Sequence, residues 1–345
     1  MCGTGKRPAA ERARRGRSRS RNASFAAIGG GDTENPKIIA TFVSIGKIVT
    51  YMTDNHDKVA KHIKPGWLKI KLHNDERYAD VAKIVEKHKL HTICDSGKCP
   101  NKADCWSRRT ATFMILGDIC TRSCKFCATK SGRPLPPDPN EPAEVAESIR
   151  LMGLKYAVIT SVDRDDLPDG GAAHWAATVR AIKEVNPDTI VEVLIPDFDG
   201  RTDLLDVVIA SRPDVIGHNI ETVERITPLV RSRAQYRRSL EVLRYIASQG
   251  AVAKSGLMLG LGETETEILA TLDDLADAGC QIVTLGQYLR PTMAHYPVAE
   301  YVTPGKFAMY GDLARMRGFR YVASAPLVRS SYMAEEAMVH LRKQE

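Results

Sequence analysis

The chain has 345 residues, of which 43% are hydrophobic and 26% are charged, proportions typical of a soluble globular protein. It contains no run of eighteen apolar residues, so the sequence predicts no transmembrane helix and no membrane partner. The net charge of +7 resides in residues 1–51, because the remaining residues carry 39 basic and 39 acidic side chains. A neutral body has no charge excess to attract a phosphate backbone, which argues against nucleic-acid binding.

Residues 1–51 form a basic N-terminal extension that we expect to be disordered, because its Arg-, Ser- and Gly-rich composition offers little to bury. Such a segment is typical of an organelle transit peptide, of a nucleic-acid-binding tail, or of a start codon assigned too early. The composition changes abruptly at Met52. We therefore expect a cytoplasmic protein, or an organelle-matrix protein if residues 1–51 are a transit peptide.

After an amphipathic helix predicted near residues 78–89, apolar strand-like runs alternate with helical patterns. The predicted strands lie near 112–116, 156–162, 189–195, 214–220, 252–259 and 281–287. The predicted helices lie near 141–153, 171–186, 201–211, 234–249, 264–278 and 304–317. Because the strands are nearly continuous apolar runs, they indicate a sheet that is covered on both faces. Six strand–helix units in sequence predict a parallel α/β fold, either a partial barrel or a doubly wound sheet.

Six of the eight cysteines fall between positions 94 and 127, in two groups: Cys94, Cys99 and Cys105, then Cys120, Cys124 and Cys127. Their spacings are C-x4-C-x5-C and C-x3-C-x2-C. Such clustering in a long chain is typical of metal binding in a reducing compartment rather than of disulfides. Thiolates select zinc or an iron–sulfur cluster, so a structural zinc site completed by a distant ligand is one interpretation. The other is a [4Fe–4S] cube, which three thiolates hold with one iron left open for a ligand.

Polar residues accumulate where the predicted strands end. Thr160, Ser161 and Asp163 end the second strand, and Asn219 and Glu221 end the fourth. Ligands of parallel α/β proteins bind at the carboxyl ends of the strands, so we expect these side chains to share one site with the cysteines that follow the first strand.

Several other residues leave two interpretations open. Gly260 and Gly262 form either a tight turn or a close approach to a ligand. Lys254 and Arg290 either contact substrate or product or form a surface salt bridge. The histidines show no paired ligand spacing, so His174 and His218 are interpreted as ordinary polar or packing residues. Cys280 begins an apolar strand and is interpreted as a small core residue.

The C-x3-C-x-aromatic-C motif after the first strand resembles that of the radical S-adenosylmethionine (SAM) superfamily. The upstream cysteines, the run Arg-Asp-Asp-Leu-Pro-Asp-Gly-Gly at 164–171 and the run Arg-Ser-Ser-Tyr at 329–332 make the chain similar to the lipoyl synthase family. The resemblance covers about residues 64–337, without departure at a motif position. It implies a (β/α)6 partial TIM barrel of radical SAM type over 110–323. Extensions at 52–109 and 324–345 would carry an auxiliary iron–sulfur cluster.

The resemblance also implies which residues bind which cofactor. Cys120, Cys124 and Cys127 would hold a [4Fe–4S] cluster that binds SAM. A second, auxiliary [4Fe–4S] cluster, which supplies sulfur, would be held by a further four residues: Cys94, Cys99, Cys105 and Ser331. Of the strand-end residues, Thr160, Ser161 and Asp163 would bind the methionine amine of SAM, and Asn219 with Glu221 would reach its ribose.

The activity implied is insertion of two sulfur atoms at C6 and C8 of an octanoyl-lysine on a lipoyl carrier domain. The carriers would be E2 subunits of 2-oxoacid dehydrogenases or the glycine cleavage H protein, and a reductase with ferredoxin or flavodoxin would supply electrons. A biotin-synthase-like or methylthiotransferase-like enzyme is the alternative, which the upstream cysteines and residues 329–332 disfavour. A two-cluster electron carrier would have no use for six strand–helix units. A nucleic-acid-binding protein with a zinc module is suggested only by residues 1–51.

Overall fold

The structure, a computed structural model, describes residues 64–69, 76–332 and 334–342, so the basic extension expected at 1–51 lies outside the described residues. The described helices are α1 Glu76–Lys87, α2 Ile93–Ser96, α3 Lys102–Ser107, α4 Glu141–Met152, α5 Ala172–Val185, α6 Thr202–Ile209, α7 Thr227–Val230, α8 Tyr236–Ser248, α9 Glu265–Asp277, α10 Pro304–Met316 and α11 Glu335–Arg342. The strands are β1 His91–Thr92, β2 Thr112–Ile115, β3 Ile119–Cys120, β4 Lys130–Ser131, β5 Tyr156–Ser161, β6 Ile190–Leu194, β7 Val215–Gly217, β8 Ala253–Leu259, β9 Ile282–Gln287 and β10 Tyr321–Ser324. Two 3-10 turns lie at Gly66–Leu68 and Phe198–Gly200.

The main sheet has the strand order β1-β2-β5-β6-β7-β8-β9-β10, and only β1 runs antiparallel to its neighbour. The six predicted strands and the seven predicted helices all occur. From β2 to β10 the spatial order follows the chain order without reversal, so the sheet has no switch point of the doubly wound kind. The sheet therefore curves as an open, partial barrel, and the predicted parallel α/β fold is confirmed. β1 and β10 were not predicted, because neither short strand has a continuous apolar run.

The helices cover the outside of the sheet because each carries one apolar face. In α8, Leu240, Leu243 and Ile246 recur at helical spacing and are all buried. Helix α9 begins with a capping box, in which Thr264 accepts from the backbone N–H of Glu267 and the Glu267 carboxylate accepts in return. These local signals agree with the tertiary packing, so the strand–helix units form where the sequence pattern places them.

Helix α11 packs at the amino ends of the strands. Its Ala337 and Leu341 contact Val215 and Ile282, the first residues of β7 and β9. Nearby, the Lys254 ammonium and the Glu192 carboxylate form a buried ion pair at 2.6 Å. Lys254 is therefore a structural partner of Glu192, and the pair is buried, whereas the second interpretation of the sequence expected a salt bridge at the surface. The opposite, carboxyl ends of the strands remain for a ligand site.

No helix within the part of the chain that the structure describes is both long enough and apolar enough to span a lipid bilayer.

Candidate metal and cofactor site

A cavity of about 370 Å³ opens at the carboxyl ends of the parallel strands. Strand residues that line it come from across the sheet: Thr112 of β2, Thr160 of β5, Leu194 of β6, Leu257 of β8 and Thr284 of β9. The curved sheet thus surrounds the cavity. This is the position that the strand-end residues predicted.

The downstream cysteine loop, residues 120–127, forms one wall of this cavity, and Cys120, Cys124 and Cys127 all line it. Cys120 ends β3, which pairs with β4 in a small separate sheet. Backbone N–H groups of the loop donate to strand-end and helix carbonyls, Thr121 to Asp163 at 3.0 Å and Lys125 to Val230 at 2.7 Å. The loop is therefore fastened at both ends with its thiols facing inward.

Arg122, between the first two of these cysteines, anchors the loop to two strand ends. Its Nε and Nη2 atoms donate to the Asp165 carboxylate at 2.9 and 2.8 Å, and Nη2 also donates to Asp197 at 2.8 Å. Its Nη1 lies 3.3 Å from an Asp163 oxygen, and its side chain is only 4% exposed. Burial alone would raise the pKa of Asp197, but the Arg122 guanidinium outweighs burial and holds that pKa below its usual range.

The three candidate residues after β5 meet the downstream cysteine loop directly. Thr160, Ser161 and Asp163 all line the cavity. The backbone N–H of Asp163 donates to the Cys120 sulfur at 3.3 Å, and the Asp163 carboxylate accepts from the same thiol at 3.6 Å. Burial raises the pKa of Asp163 above its ordinary value, although Arg122 opposes that shift.

Asn219 and Glu221, which follow β7, also line the cavity. Glu221 has a positive φ of 69°, and its backbone N–H and carbonyl bond to Gly256 and Met258 of β8, so its side chain is held over the cavity. The Asn219 side chain donates to the Ser330 hydroxyl at 2.8 Å. All five strand-end candidates thus share one cavity with the downstream cysteine loop.

The upstream cysteine loop, residues 94–105, forms a second wall. Cys94 lies in α2, Cys105 in α3, and Cys99 between them lines the cavity. The three thiols interact electrostatically with one another, and burial raises the pKa of Cys105 to about 12. Burial also raises the pKa of Cys94 and Cys99. Three thiols with raised pKa values, of which Cys94 is buried and the other two are partly buried, favour the protonated form until a cation is supplied.

Residues 325–332 bring Ser331 to the same wall. Asn101 of the upstream cysteine loop donates to the Leu327 carbonyl at 2.7 Å, which ties this segment to the loop. Ser331 and Cys99 consequently line the same cavity. The segment fits over β8 and β9 because two strand positions are glycines. A Cβ atom at Gly256 would lie 3.1 Å from the Ser330 hydroxyl, and one at Gly286 would clash with the Val328 carbonyl.

Other sequence candidates lie elsewhere or play packing roles. Gly260 and Gly262 are not among the residues that line the cavity, and both adopt positive φ in a tight turn. Arg290 donates to the His295 carbonyl at 2.8 Å. His218 is buried, with Nδ1 3.0 Å from the Ile195 carbonyl and Nε2 2.9 Å from the Ser239 hydroxyl. Cys280 is 6% exposed in the core.

His174 has an acidic partner rather than a role in the cavity. Its Nε2 atom lies 2.7 Å from a carboxylate oxygen of Glu141.

Arg231 is a cavity residue that the sequence analysis missed. Its Nη1 donates to the Asn219 carbonyl at 3.3 Å and to the Ser239 hydroxyl at 3.1 Å. Its Nε is buried and has no hydrogen-bond partner among the described residues. In the sequence it is one of four arginines between 231 and 238, so no local signal separates it from its neighbours.

The donor set fits iron–sulfur clusters. All seven described cysteines are free thiols. Within the described residues, no group of three His, Cys, Asp or Glu side chains could hold a single metal ion. A [4Fe–4S] cube does not require its three thiolates to converge on a single ion, because each thiolate binds a different iron atom. The cube would also supply the positive charge that favours thiolates at these buried positions.

Comparison with curated proteins gives close relatives over most of the chain. It is 62% identical over 279 residues to the lipoyl synthase of Bacteroides fragilis strain YCH46, and the aligned region covers 81% of this chain and 96% of that relative. It is 58% identical over 279 residues to the lipoyl synthase of Porphyromonas gingivalis strain W83, and the aligned region covers 80% of this chain and 99% of that relative.

Family and structural comparisons agree with these relatives. Residues 114–275 match the family model described as the radical SAM superfamily. The chain is similar to Streptococcus suis SuiB bound to S-adenosylmethionine, with a TM-score of 0.50, 11% identity, and coverage of 83% of this chain and 62% of that one. At that identity the likeness shows the fold alone. The predicted radical SAM fold is confirmed, and the chain belongs to the lipoyl synthase family of the radical SAM superfamily.

Proposed function

We propose that the protein is a lipoyl synthase that inserts sulfur at C6 and C8 of an octanoyl chain amide-linked to a lysine of a carrier protein. Its cofactors are two [4Fe–4S] clusters and SAM. One observation carries the proposal. The downstream cysteine loop lines one wall of the cavity, and Cys99 with Ser331 lines another. A radical source and a sulfur source would therefore face the same space.

The residues of the downstream cysteine loop would hold the SAM-binding cluster. With SAM, the cluster would supply radical chemistry able to remove hydrogen from unactivated C–H bonds. The chain holds Cys120, Cys124 and Cys127 at the cavity wall. The bonds of Arg122 to three carboxylates keep the loop in that orientation.

SAM would be oriented by the polar residues between the cluster and the barrel. Thr160, Ser161 and Asp163 would receive its methionine amine, and Asn219 with Glu221 would receive its ribose. A carboxylate suits the amine because its lone pairs accept hydrogen bonds from amine N–H groups. A sixth residue, Arg231, would bind the methionine carboxylate, because its unpaired buried Nε requires an acceptor.

The auxiliary cluster would be held by Cys94, Cys99, Cys105 and Ser331. A serine oxygen is a harder ligand for iron than a thiolate, so this corner would be the weaker one. Ser331 and Cys99 are the two of these four residues that line the cavity. The labile corner would thus point toward the substrate.

The partners would be octanoylated E2 subunits of 2-oxoacid dehydrogenases and the glycine cleavage H protein. A ferredoxin or flavodoxin with its reductase would deliver the electron. In this organisation, residues 52–109 carry the upstream cysteine loop, 110–323 form the barrel, and 324–345 carry Ser331. We place the enzyme in the cytoplasm, or in an organelle matrix if residues 1–51 target it there.

Iron and sulfide analysis of anaerobically reconstituted protein tests the two-cluster arrangement. We expect about eight iron atoms per chain, falling by half when either cysteine triple is changed to alanine. The Cys280→Ala variant is the matched control, because Cys280 lies in the core away from both loops, and it should keep all its iron. Four iron atoms in the unmodified protein, or zinc, would contradict the proposal.

The activity itself is tested by mass spectrometry of an octanoylated carrier peptide incubated with the reconstituted enzyme, SAM and a reductant. The expected product carries two sulfur atoms and has lost two hydrogen atoms from the chain, at C6 and C8. The variant with alanine at 94, 99 and 105 should still cleave SAM but leave the peptide without sulfur. Sulfur insertion by that variant would contradict the role of the upstream loop.

A further inference from the structure

Arg329 occupies the wall of the cavity formed by the upstream cysteine loop and residues 325–332. It lines the cavity together with Cys99 and Ser331. Its Nη1 donates to the Val328 carbonyl at 2.6 Å, which turns the guanidinium back over β9. Gly286 of β9 provides the room, because a Cβ atom there would lie 3.3 Å from that nitrogen.

Arg329 differs from Arg122 and Arg164 in its charge balance. Arg122 is bound by Asp165 and Asp197, and Arg164 by Asp166. Among the described residues, no Asp or Glu forms an ion pair with Arg329, and the acidic group that it interacts with is the Cys99 thiol. Arg329 is partly buried, and a guanidinium that is partly withdrawn from water is costly unless an anion compensates it.

Two of the residues that would hold the auxiliary cluster, Cys99 and Ser331, line the same cavity as Arg329. A [4Fe–4S]²⁺ core bound by three thiolates and one serine alkoxide has a net charge of −2. That charge would lie beside the Arg329 guanidinium, at the wall of the cavity that Cys99 and Ser331 line.

We propose that Arg329 is the charge partner of the auxiliary cluster, stabilising its negative charge and raising its reduction potential. This inference rests on the proposed function, since it requires a cluster at Cys94, Cys99, Cys105 and Ser331. An added electron increases the negative charge of the cluster, so a nearby cation stabilises the reduced form more than the oxidised form.

A redox titration followed by electron paramagnetic resonance tests the proposal. Alanine at 120, 124 and 127 removes the downstream site, so the signal of the full-length chain comes from the auxiliary cluster alone. In that background, Arg329→Gln should lower the ratio of reduced to oxidised cluster at least tenfold at a fixed potential, about 59 mV for one electron. Arg329→Lys keeps the charge and should retain most of the parent ratio.

Arg108→Gln is the matched control. Its Nη2 lies 3.9 Å from the Cys105 sulfur, so it belongs to the same site. Its charge, however, is paired with Asp104 at 3.2 Å and Glu335 at 3.5 Å, and its side chain is 33% exposed. Solvent and these carboxylates screen it, so the ratio should change far less than in Arg329→Gln. Equal shifts in the two variants, or no shift in Arg329→Gln, would overturn the proposal.

If Arg329→Gln does not retain the cluster, reconstitution of Arg329→Ala with added guanidinium decides the question. Guanidinium chloride at low concentration should restore iron binding, whereas urea, which has a similar shape and no charge, should not. Restoration by both or by neither would overturn the charge role. A parent variant that binds no iron with Arg329 intact would instead refute the two-cluster function, and this inference with it.

Discussion

At the scale of single residues, the cavity is organised by side chains whose role depends on distant partners. Arg122 connects the downstream cysteine loop to carboxylates that follow two different strands. Asp197 is fully buried, and its carboxylate is stabilised by that arginine. Removing one partner of such a network leaves the others buried and uncompensated, which costs more than the intact network contributes.

The Arg122→Met variant should therefore be strongly destabilised. We expect the free energy of unfolding to fall by about 3–5 kcal/mol, because Asp165 and Asp197 lose their buried counter-ion. Urea unfolding of the cluster-free protein measures this. The control is Arg201→Met, whose side chain is 50% exposed and pairs with Asp203, so its effect should stay within about 1 kcal/mol. Comparable losses in both variants would show that Arg122 is not an anchor.

Gly286→Ala should displace residues 325–332, because its Cβ would clash with the Val328 carbonyl. We expect iron to fall toward half, since Ser331 would be withdrawn from the upstream cysteine loop. Gly305→Ala is the control, because no atom lies within 4 Å of the Cβ position there. Full iron content in Gly286→Ala would mean that Ser331 does not depend on this close approach.

At the scale of elements, local sequence patterns were enough to predict most strands and helices of the barrel. The six buried strands and their helices follow from apolar runs and helical periodicity, and the cysteine loop falls after the first strand as expected. Strand β10 was missed because it is short and only Val322 in it is buried. The roles of Arg122, Arg231 and Gly286 were missed because they arise from contacts between segments far apart in sequence.

Helix α11 is the element whose contribution is easiest to isolate. Leu341 is 2% exposed and packs against Val215 and Ile282 at the amino ends of the strands. Leu341→Ala should lower the free energy of unfolding by about 2–4 kcal/mol through lost burial and a residual cavity. The control, Met316→Ala, removes a side chain that is 82% exposed and should change stability by less than about 0.5 kcal/mol. Equal shifts of the denaturant midpoint in the two variants would show that the packing of α11 against the strands does not stabilise the fold.

At the scale of the whole molecule, the cavity is completed by three segments that are distant in sequence. The two cysteine loops precede most of the barrel, and residues 325–332 follow its last strand. All three line the same space. The residues proposed to hold the clusters and SAM thus lie between 94 and 332, and the excess positive charge of the chain comes from residues 1–51.

That separation predicts the effect of deleting residues 1–51. The protein beginning at Met52 should keep its iron, its SAM cleavage and its sulfur insertion, because every proposed ligand lies at or beyond Cys94. It should at the same time lose retention on a heparin column at low salt, since the remaining residues carry equal numbers of basic and acidic side chains. A matched full-length variant in which the seven arginines of residues 7–21 are changed to glutamine separates charge from length, and it should behave much like the deletion on heparin. Loss of sulfur insertion in the shortened protein, with iron content unchanged, would place a substrate-binding function in the basic extension.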